Sequence, residues 1–320
     1  MKLVRFGHKG FERPGIISSD GTIRDLSHVV SDITGAGLRP EGLERIARID
    51  PDDLPRAPED ARIGPCIAMP YNFVAIGLNY VDHAQEANMP IPEQPIIFNK
   101  APTSISGPYD DVVLPVGAKK GDWEVELGIV IGSPCDNVSE ADAMDYVAGF
   151  CVCNDVSERQ YQMEMGGEWV KGKSAPSFGP LGPWMVTKDE IADPHNLSMY
   201  LDLNGKRMQD GNTANMIFKV DLIVSYVSRF IPLIPGDVIV TGTPAGVGLG
   251  MKPQVFLKPG DEMVLGIEGL GEQRQSVVAH PKESAPAAAP AQPVEASEPD
   301  EPIELADADE TPETGEPAEG

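Results

Sequence analysis

Two glutamates separated by one residue stand in the run Asp122 to Ile131, where Trp123, Val125, Leu127 and Ile129 alternate with Asp122, Glu124, Glu126 and Gly128. That alternation predicts a strand with one apolar face. Side chains at i and i+2 share a face with α-carbons roughly 6.6 Å apart, so Glu124 and Glu126 can converge on one point. Ionised about 5 Å apart at an effective dielectric near 20, they would repel by ~3 kcal/mol, equivalent to about two pKa units. Solvent, a shared proton or a bound cation must offset this. The pattern therefore has two readings, an acidic stripe facing water or a cation site. A third acid bears on the choice. Val147 to Cys153 is uniformly apolar and small, as a strand buried on both faces should be, and it runs into Asn154-Asp155. Asp155 either caps the following turn or joins Glu124 and Glu126 as three hard oxygen ligands suited to Mg²⁺ or Mn²⁺.

A different chemistry sits at Gly77 to Glu86, where His83 and Glu86 are three residues apart. On a helical turn they share a face. A carboxylate beside an imidazole orients it and raises its basicity, which suits a general base; a surface ion pair has the same spacing. Two further stretches supply polar groups: Lys171-Gly172-Lys173-Ser174, and Thr241 to Gly248, a Gly-rich turn after a strand. Spacing alone does not separate either from ordinary turn material.

These residues need elements to hold them. Residues 1–65 read as a small αβ module: strand-like runs at Met1–Phe6, Gly15–Ser18 and Thr22–Leu26, a hairpin signal at Asp20-Gly21, then Leu43, Ile46 and Ile49 at helical spacing. Residues 66–280 carry short apolar runs (Phe73–Ile76, Ile96–Phe98, Val112–Leu114, Val238–Val240, Met263–Ile267) bounded by Gly, Pro and Asp. Helical patterns are confined to Ser139–Val147 and Met216–Phe230. Many strands with few helices indicate an α+β, β-rich roll or sandwich rather than a repeating βαβ fold. Residues 281–320 hold twelve acids against Lys282, with eight prolines and no aromatic residue, a composition that cannot offset its ordering entropy and is expected to be disordered.

Of the net charge of -25, that last segment carries -11. Such acidity excludes a general phosphate-backbone binder. No run reaches the ~20 apolar residues of a membrane span, and the start lacks the features of a secretory signal. The four cysteines are too irregularly spaced for a disulfide framework or zinc site. The expectation is a soluble, cytoplasmic protein with no nucleic-acid or membrane partner.

In combination, the runs Gly77–His83, Asp122–Gly128, Asn154–Arg159, Gly172–Ser174, Gly179–Trp184, Met208–Thr213 and Thr241–Gly248, in that order, resemble the fumarylacetoacetate hydrolase family. The N-terminal runs Met1–Gly7 and Ile23–Ser27 look like its bacterial branch of 2,4-diketo-3-deoxy-sugar-acid hydrolases, ureidoglycolate lyases and hydroxyheptadienedioate isomerases. The resemblance implies a mixed β-sandwich roll, a homodimer, and Mg²⁺ or Mn²⁺ held by Glu124, Glu126 and Asp155. It also implies Lys173 beside the metal, Arg159, Gln162 and Thr243 on substrate oxygens, and His83 with Glu86 as the water-activating pair. The expected activity is hydrolysis of a C–C bond in a 2,4-dioxo acid, giving pyruvate and a smaller acid. Ureidoglycolate lyase, oxaloacetate-type decarboxylase or dienedioate isomerase are the alternatives, with a non-catalytic metabolite-binding homologue behind them. Ser174-Ala175-Pro176-Ser177-Phe178 departs from the family, because Pro176 stands where relatives carry an acid, and Asn99 replaces an apolar residue.

Overall fold

A computed structural model of the chain describes residues 1–284. The acidic segment read over 281–320 lies outside the described residues, apart from a helical turn at Pro281–Ser284. Strands β1 (Lys2–Phe6), β2 (Arg13–Ile17) and β3 (Ile23–Asp25) are followed by β4 (Phe73–Gly77), β5 (Ile96–Lys100), β6 (Val112–Leu114), β7 (Val125–Ile131), β8 (Val147–Asn154) and β9 (Met185–Thr187). A hairpin of β10 (Ser198–Leu203) and β11 (Lys206–Asn212) precedes β12 (Val238–Val240), β13 (Glu262–Ile267) and β14 (Gly271–Ala279). Helices α1 (Pro40–Ala47), α2 (Val81–Glu86), α3 (Arg159–Met163), α4 (Val170–Lys173) and α5 (Val220–Ser228) complete the frame. The larger sheet has the order β3-β2-β1-β9-β8-β7-β12-β4-β5, the smaller β11-β10-β13-β14-β6. This is the mixed, strand-rich α+β architecture the patterning indicates.

The central strands of the larger sheet are buried on both faces, and their side chains alternate between two apolar clusters. Val125, Leu127, Ile129 and Ile131 of β7 point with Phe150 and Val152 of β8 toward the smaller sheet and α5, meeting Leu201, Leu265 and Ile223. Val130, Ala148, Cys151 and Val238 point the other way, toward Leu26, Ile33, Leu38 and Ile46. Residues 1–65 thus extend the sheet through the β1–β9 pairing and also cover its second face. Of the two readings of β7, the acidic stripe facing water does not hold: all seven of its residues are buried. All four cysteines are buried and unpaired. Among the described residues no helix is long and apolar enough to cross a membrane.

Two helical readings shrink. The pattern over Met216–Phe230 yields a helix only from Val220, because Asn79 captures the preceding segment: its Oδ1 accepts from Phe218 N at 2.8 Å and its Nδ2 donates to Phe218 O at 3.1 Å. Backbone engaged in that way is not free to enter a helical ladder. Ser139–Val147 gives only the short turn Ala143–Tyr146. The β10–β11 hairpin, not foreseen as strands, turns at Asn204-Gly205, both in the left-handed region with φ of 52° and 75°.

The seam joining β8 to β9 rests on a glycine. Gly149 pairs with Thr187, and a Cβ there would lie 2.2 Å from the Val186 carbonyl oxygen. Overpacking of backbone cannot relax by a rotamer change, so Gly149→Ala is expected to destabilise the protein by about 2–3 kcal/mol. Urea unfolding should show a lower midpoint with an unchanged slope; an unchanged midpoint would show that the two strands part freely.

Candidate active site

Register brings the acids together. β7 and β8 are antiparallel with Cys153 opposite Glu126 and Asn154 opposite Val125, so the start of one strand meets the end of the other. Asp155 N donates to Glu124 O at 2.8 Å just beyond the pairing. β12 lies beside β7, antiparallel to it and parallel to β4. The ends of β12 and β4 therefore deliver Thr241–Thr243 and the α2 segment to the same sheet edge. Carboxylate oxygens of Glu124, Glu126 and Asp155 lie within 4.8 Å of one another, and all three residues are buried. Glu124 lies just before β7, while Glu126 is within it.

Cations interleave with these acids. Lys173 Nζ donates to Glu124 Oε2 at 2.6 Å and to Asp155 Oδ2 at 2.7 Å. Arg159 donates from Nε to Asp122 Oδ2 at 2.8 Å and from Nη1 to Gln162 Oε1 at 3.1 Å. Its Nη2 lies 2.7 Å from Glu124 Oε1, yet is not aligned for a directed hydrogen bond. Lys100, which sequence reasoning passed over, is fully buried with Nζ 2.5 Å from Asp155 Oδ1. A lone lysine ending the apolar strand Ile96–Lys100 was its only signal. The serines around Pro176 act as acceptors instead of an acid: Ser174 Oγ takes Ala101 N and Ser177 Oγ takes Val113 N, each at 2.8 Å.

The charges shift one another in opposite directions. Burial disfavours ionisation of Glu124, but Lys173 and Arg159 outweigh it and hold that carboxyl well below the usual range. Burial, reinforced by the negative Asp155 and Glu124, pushes Glu126 well above it, although Gly242 N donates to Glu126 Oε2 at 2.8 Å. Gly242 reaches that oxygen with φ of 90°, and a Cβ would press to 2.9 Å from Asn79. Lys173 is raised because Asp155 and Glu124 overcome its desolvation.

A divalent ion fits this set. The donors are three hard oxygens, buried and within 4.8 Å of one another. Lys100 and Lys173 reduce the repulsion without removing the excess negative charge.

His83 and Glu86 face the same cavity of about 560 Å³ as Glu124, Glu126, Arg159, Gln162, Lys173 and Thr243. His83 Nδ1 donates to Glu86 Oε2 at 3.0 Å, and Glu86 Oε1 accepts from Gly246 N at 3.0 Å. With its Nδ1 committed as donor, the neutral ring presents Nε2 as a proton acceptor. Gln162 Oε1 is taken by Arg159, so its amide N–H groups are what it offers. Thr243 differs from the simple expectation. Its hydroxyl donates to Val125 O at 2.9 Å and accepts from Gln209 Nε2 at 2.8 Å, so that side chain has no proton left for a substrate carboxylate. Phe98 and Trp169, edge to face at 5.1 Å, form an apolar part of the wall.

The family model described as fumarylacetoacetate (FAA) hydrolase C-terminal matches residues 72–278. A Burkholderia multivorans protein, named only in general terms as a hydrolase, is 54% identical over 276 residues, 86% of this chain and 98% of its own. Among solved structures, 2-hydroxyhepta-2,4-diene-1,7-dioate isomerase from Mycobacterium marinum aligns with a TM-score of 0.66 at 32% identity, covering 87% of this chain and 98% of its own. Maleylpyruvate hydrolase from Sphingobium sp. SYK-6, in complex with manganese(II) and pyruvate, aligns with a TM-score of 0.73 at 29% identity, covering 87% and 99%.

The raised Glu126 carboxyl sets a pH dependence. A metal ligand must be ionised, whereas burial and the neighbouring Asp155 and Glu124 work against ionisation of Glu126, so ion and proton compete for that carboxyl. Mn²⁺ affinity should rise with pH, and calorimetry in two buffers of different ionisation enthalpy should detect proton release. Affinity independent of pH, with no proton released, would contradict the assignment.

Proposed function

The chain belongs to the fumarylacetoacetate hydrolase family, and from that premise we propose that it is a Mg²⁺- or Mn²⁺-dependent hydrolase cleaving a C–C bond of a 2,4-dioxo acid to pyruvate and a smaller acid. The observation that carries this is the inventory of the cavity: a buried three-carboxylate set, fixed hydrogen-bond donors from Arg159, Gln162 and Lys173, and an oriented His83–Glu86 pair opposite them. A divalent ion held by Glu124, Glu126 and Asp155 supplies Lewis acidity toward a chelating oxo acid.

The side chains do the rest. Arg159 and Gln162 have N–H groups for carboxylate and oxo oxygens, which only accept. Lys173 brings positive charge beside the region where oxyanion character develops, already fixed by Glu124 and Asp155. Glu86 holds His83 so that Nε2 takes a proton from water. The hydroxide part adds to C4, the C3–C4 electron pair passes to C3, and a proton ends there, so that the fragments sum to substrate plus water. Isomerisation and decarboxylation use the same oxygen donors but do not need a water-activating pair. The dyad, held at both Glu86 oxygens, therefore weighs against decarboxylation, while the proton shift of an isomerisation would use the same base, and the released product separates the two.

Incubating the protein with a panel of 2,4-dioxo acids and Mn²⁺ should release pyruvate. Glu124→Ala is expected to lose Mn²⁺ binding and turnover together. His83→Ala should keep Mn²⁺ while turnover falls about 100- to 10,000-fold. Turnover unchanged in both variants would remove the proposal.

A further inference from the structure

Asp122 has no part in the scheme above, yet it is the most heavily used carboxylate at this end of the sheet. It is fully buried. Its Oδ1 accepts from its neighbour Trp123 N at 2.9 Å and from Gly248 N at 2.7 Å. Its Oδ2 accepts from Leu249 N at 3.0 Å and from Arg159 Nε at 2.8 Å. Besides the adjacent Trp123 N, three donors from two distant segments, Arg159 and Gly248-Leu249, end on this carboxylate.

Each segment leads to a different part of the site. Through Nε, Asp122 sets the plane of the Arg159 guanidinium, so that Nη1 meets Gln162 and Nη2 points toward Glu124. Through Gly248 and Leu249 it anchors the turn after Thr243, whose Gly246 N holds Glu86 at 3.0 Å and whose Gly246 O accepts from Trp123 Nε1 at 3.1 Å. The fit there is tight, since a Cβ on Gly248 would lie 1.9 Å from Val255 O and 2.9 Å from Asp122 Oδ1. We propose that Asp122 is a positioning residue that aims the Arg159 guanidinium at the substrate acid and ties that guanidinium to the turn carrying the Glu86 contact.

The chemistry explains why an acid is required. All four partners are N–H donors, so the group between them must accept at both oxygens. Asparagine has the same shape but one accepting oxygen, and its amide would face a donor. An Arg159 freed at Nε keeps Glu124 and Gln162 but is no longer held in one plane, and loses preorganisation for a planar carboxylate.

This inference rests on the oxo-acid reading, and pyruvate serves as the probe. Pyruvate is titrated calorimetrically into the Mn²⁺-loaded full chain and its Asp122→Asn, Arg159→Lys and doubly substituted forms, with Mn²⁺ affinity and thermal midpoint measured alongside. A charge-assisted hydrogen bond corresponds to about a tenfold to hundredfold change in binding. Asp122→Asn is expected to weaken pyruvate by at least about tenfold while Mn²⁺ affinity stays within about threefold, a split that a merely structural role would not produce. Because both residues act through one guanidinium, the double variant should bind about as weakly as Arg159→Lys alone. Unchanged pyruvate affinity in Asp122→Asn, or losses that multiply in the double variant, overturns the inference while leaving the oxo-acid reading intact. If the unsubstituted chain takes up Mn²⁺ but neither binds pyruvate nor cleaves any dioxo acid, the functional reading falls and this one with it. Should Asp122→Asn not fold, Asp122→Glu keeps the charge but displaces the carboxylate by a methylene; unchanged pyruvate affinity there overturns it equally.

Discussion

Burying several carboxylates side by side is the constraint around which the rest of this protein is arranged. Asp122, Glu124, Glu126 and Asp155 are all buried, and removing each ion from water costs several kcal/mol before their mutual repulsion is counted. The fold meets that cost with alternating charge. Lys173 sits between Glu124 and Asp155, Arg159 between Asp122 and Glu124, and Lys100 against the far oxygen of Asp155. Three cations against four acids leave one negative charge uncompensated. Burial and then that residual repulsion fall on Glu126, whose carboxyl is pushed up rather than down.

A site held that closely needs rigid supports. The acids stand at the start of β7 and just after β8, two strands buried along their whole length. The groups opposite them follow β4 and β12, neighbours in the same sheet. Sites supported by such elements hold geometry better than sites on free loops. The two turns that do enter the site are tied down: Asn79 fixes one through Phe218 and Thr241, and Asp122 fixes the other.

Much of the site was legible because its physics is local. Glu124 and Glu126 read as convergent from a period of two, and His83 with Glu86 from a spacing of three. Asp155 read as a third acid because the apolar run before it implied a buried strand. What was hidden depends on contacts distant in sequence. Lys100 faces Asp155 from 55 residues away, as their numbers give, and nothing in the run Ile96–Lys100 names its partner. Asp122 was visible as a residue but not as a four-donor hub. The hydroxyl of Thr243 is committed by Gln209 and Val125, which no spacing rule connects. In the fold, alternation along β7 left a wet face open as one reading, whereas residues 1–65 cover that side. The β10–β11 hairpin had a turn signal at Asn204-Gly205 and an alternating Met199, Leu201, Leu203 before it, but β11, Lys206–Asn212, is too polar to stand out as its partner.

The central claim is that Glu124, Glu126 and Asp155 surround one divalent ion. Crystals of the protein grown with Mn²⁺ and measured at the manganese absorption edge test it directly. A single anomalous peak within about 2.0–2.4 Å of an oxygen from each of the three residues is predicted. A peak elsewhere, or none at saturating Mn²⁺ with Lys173 still between Glu124 and Asp155, would contradict it.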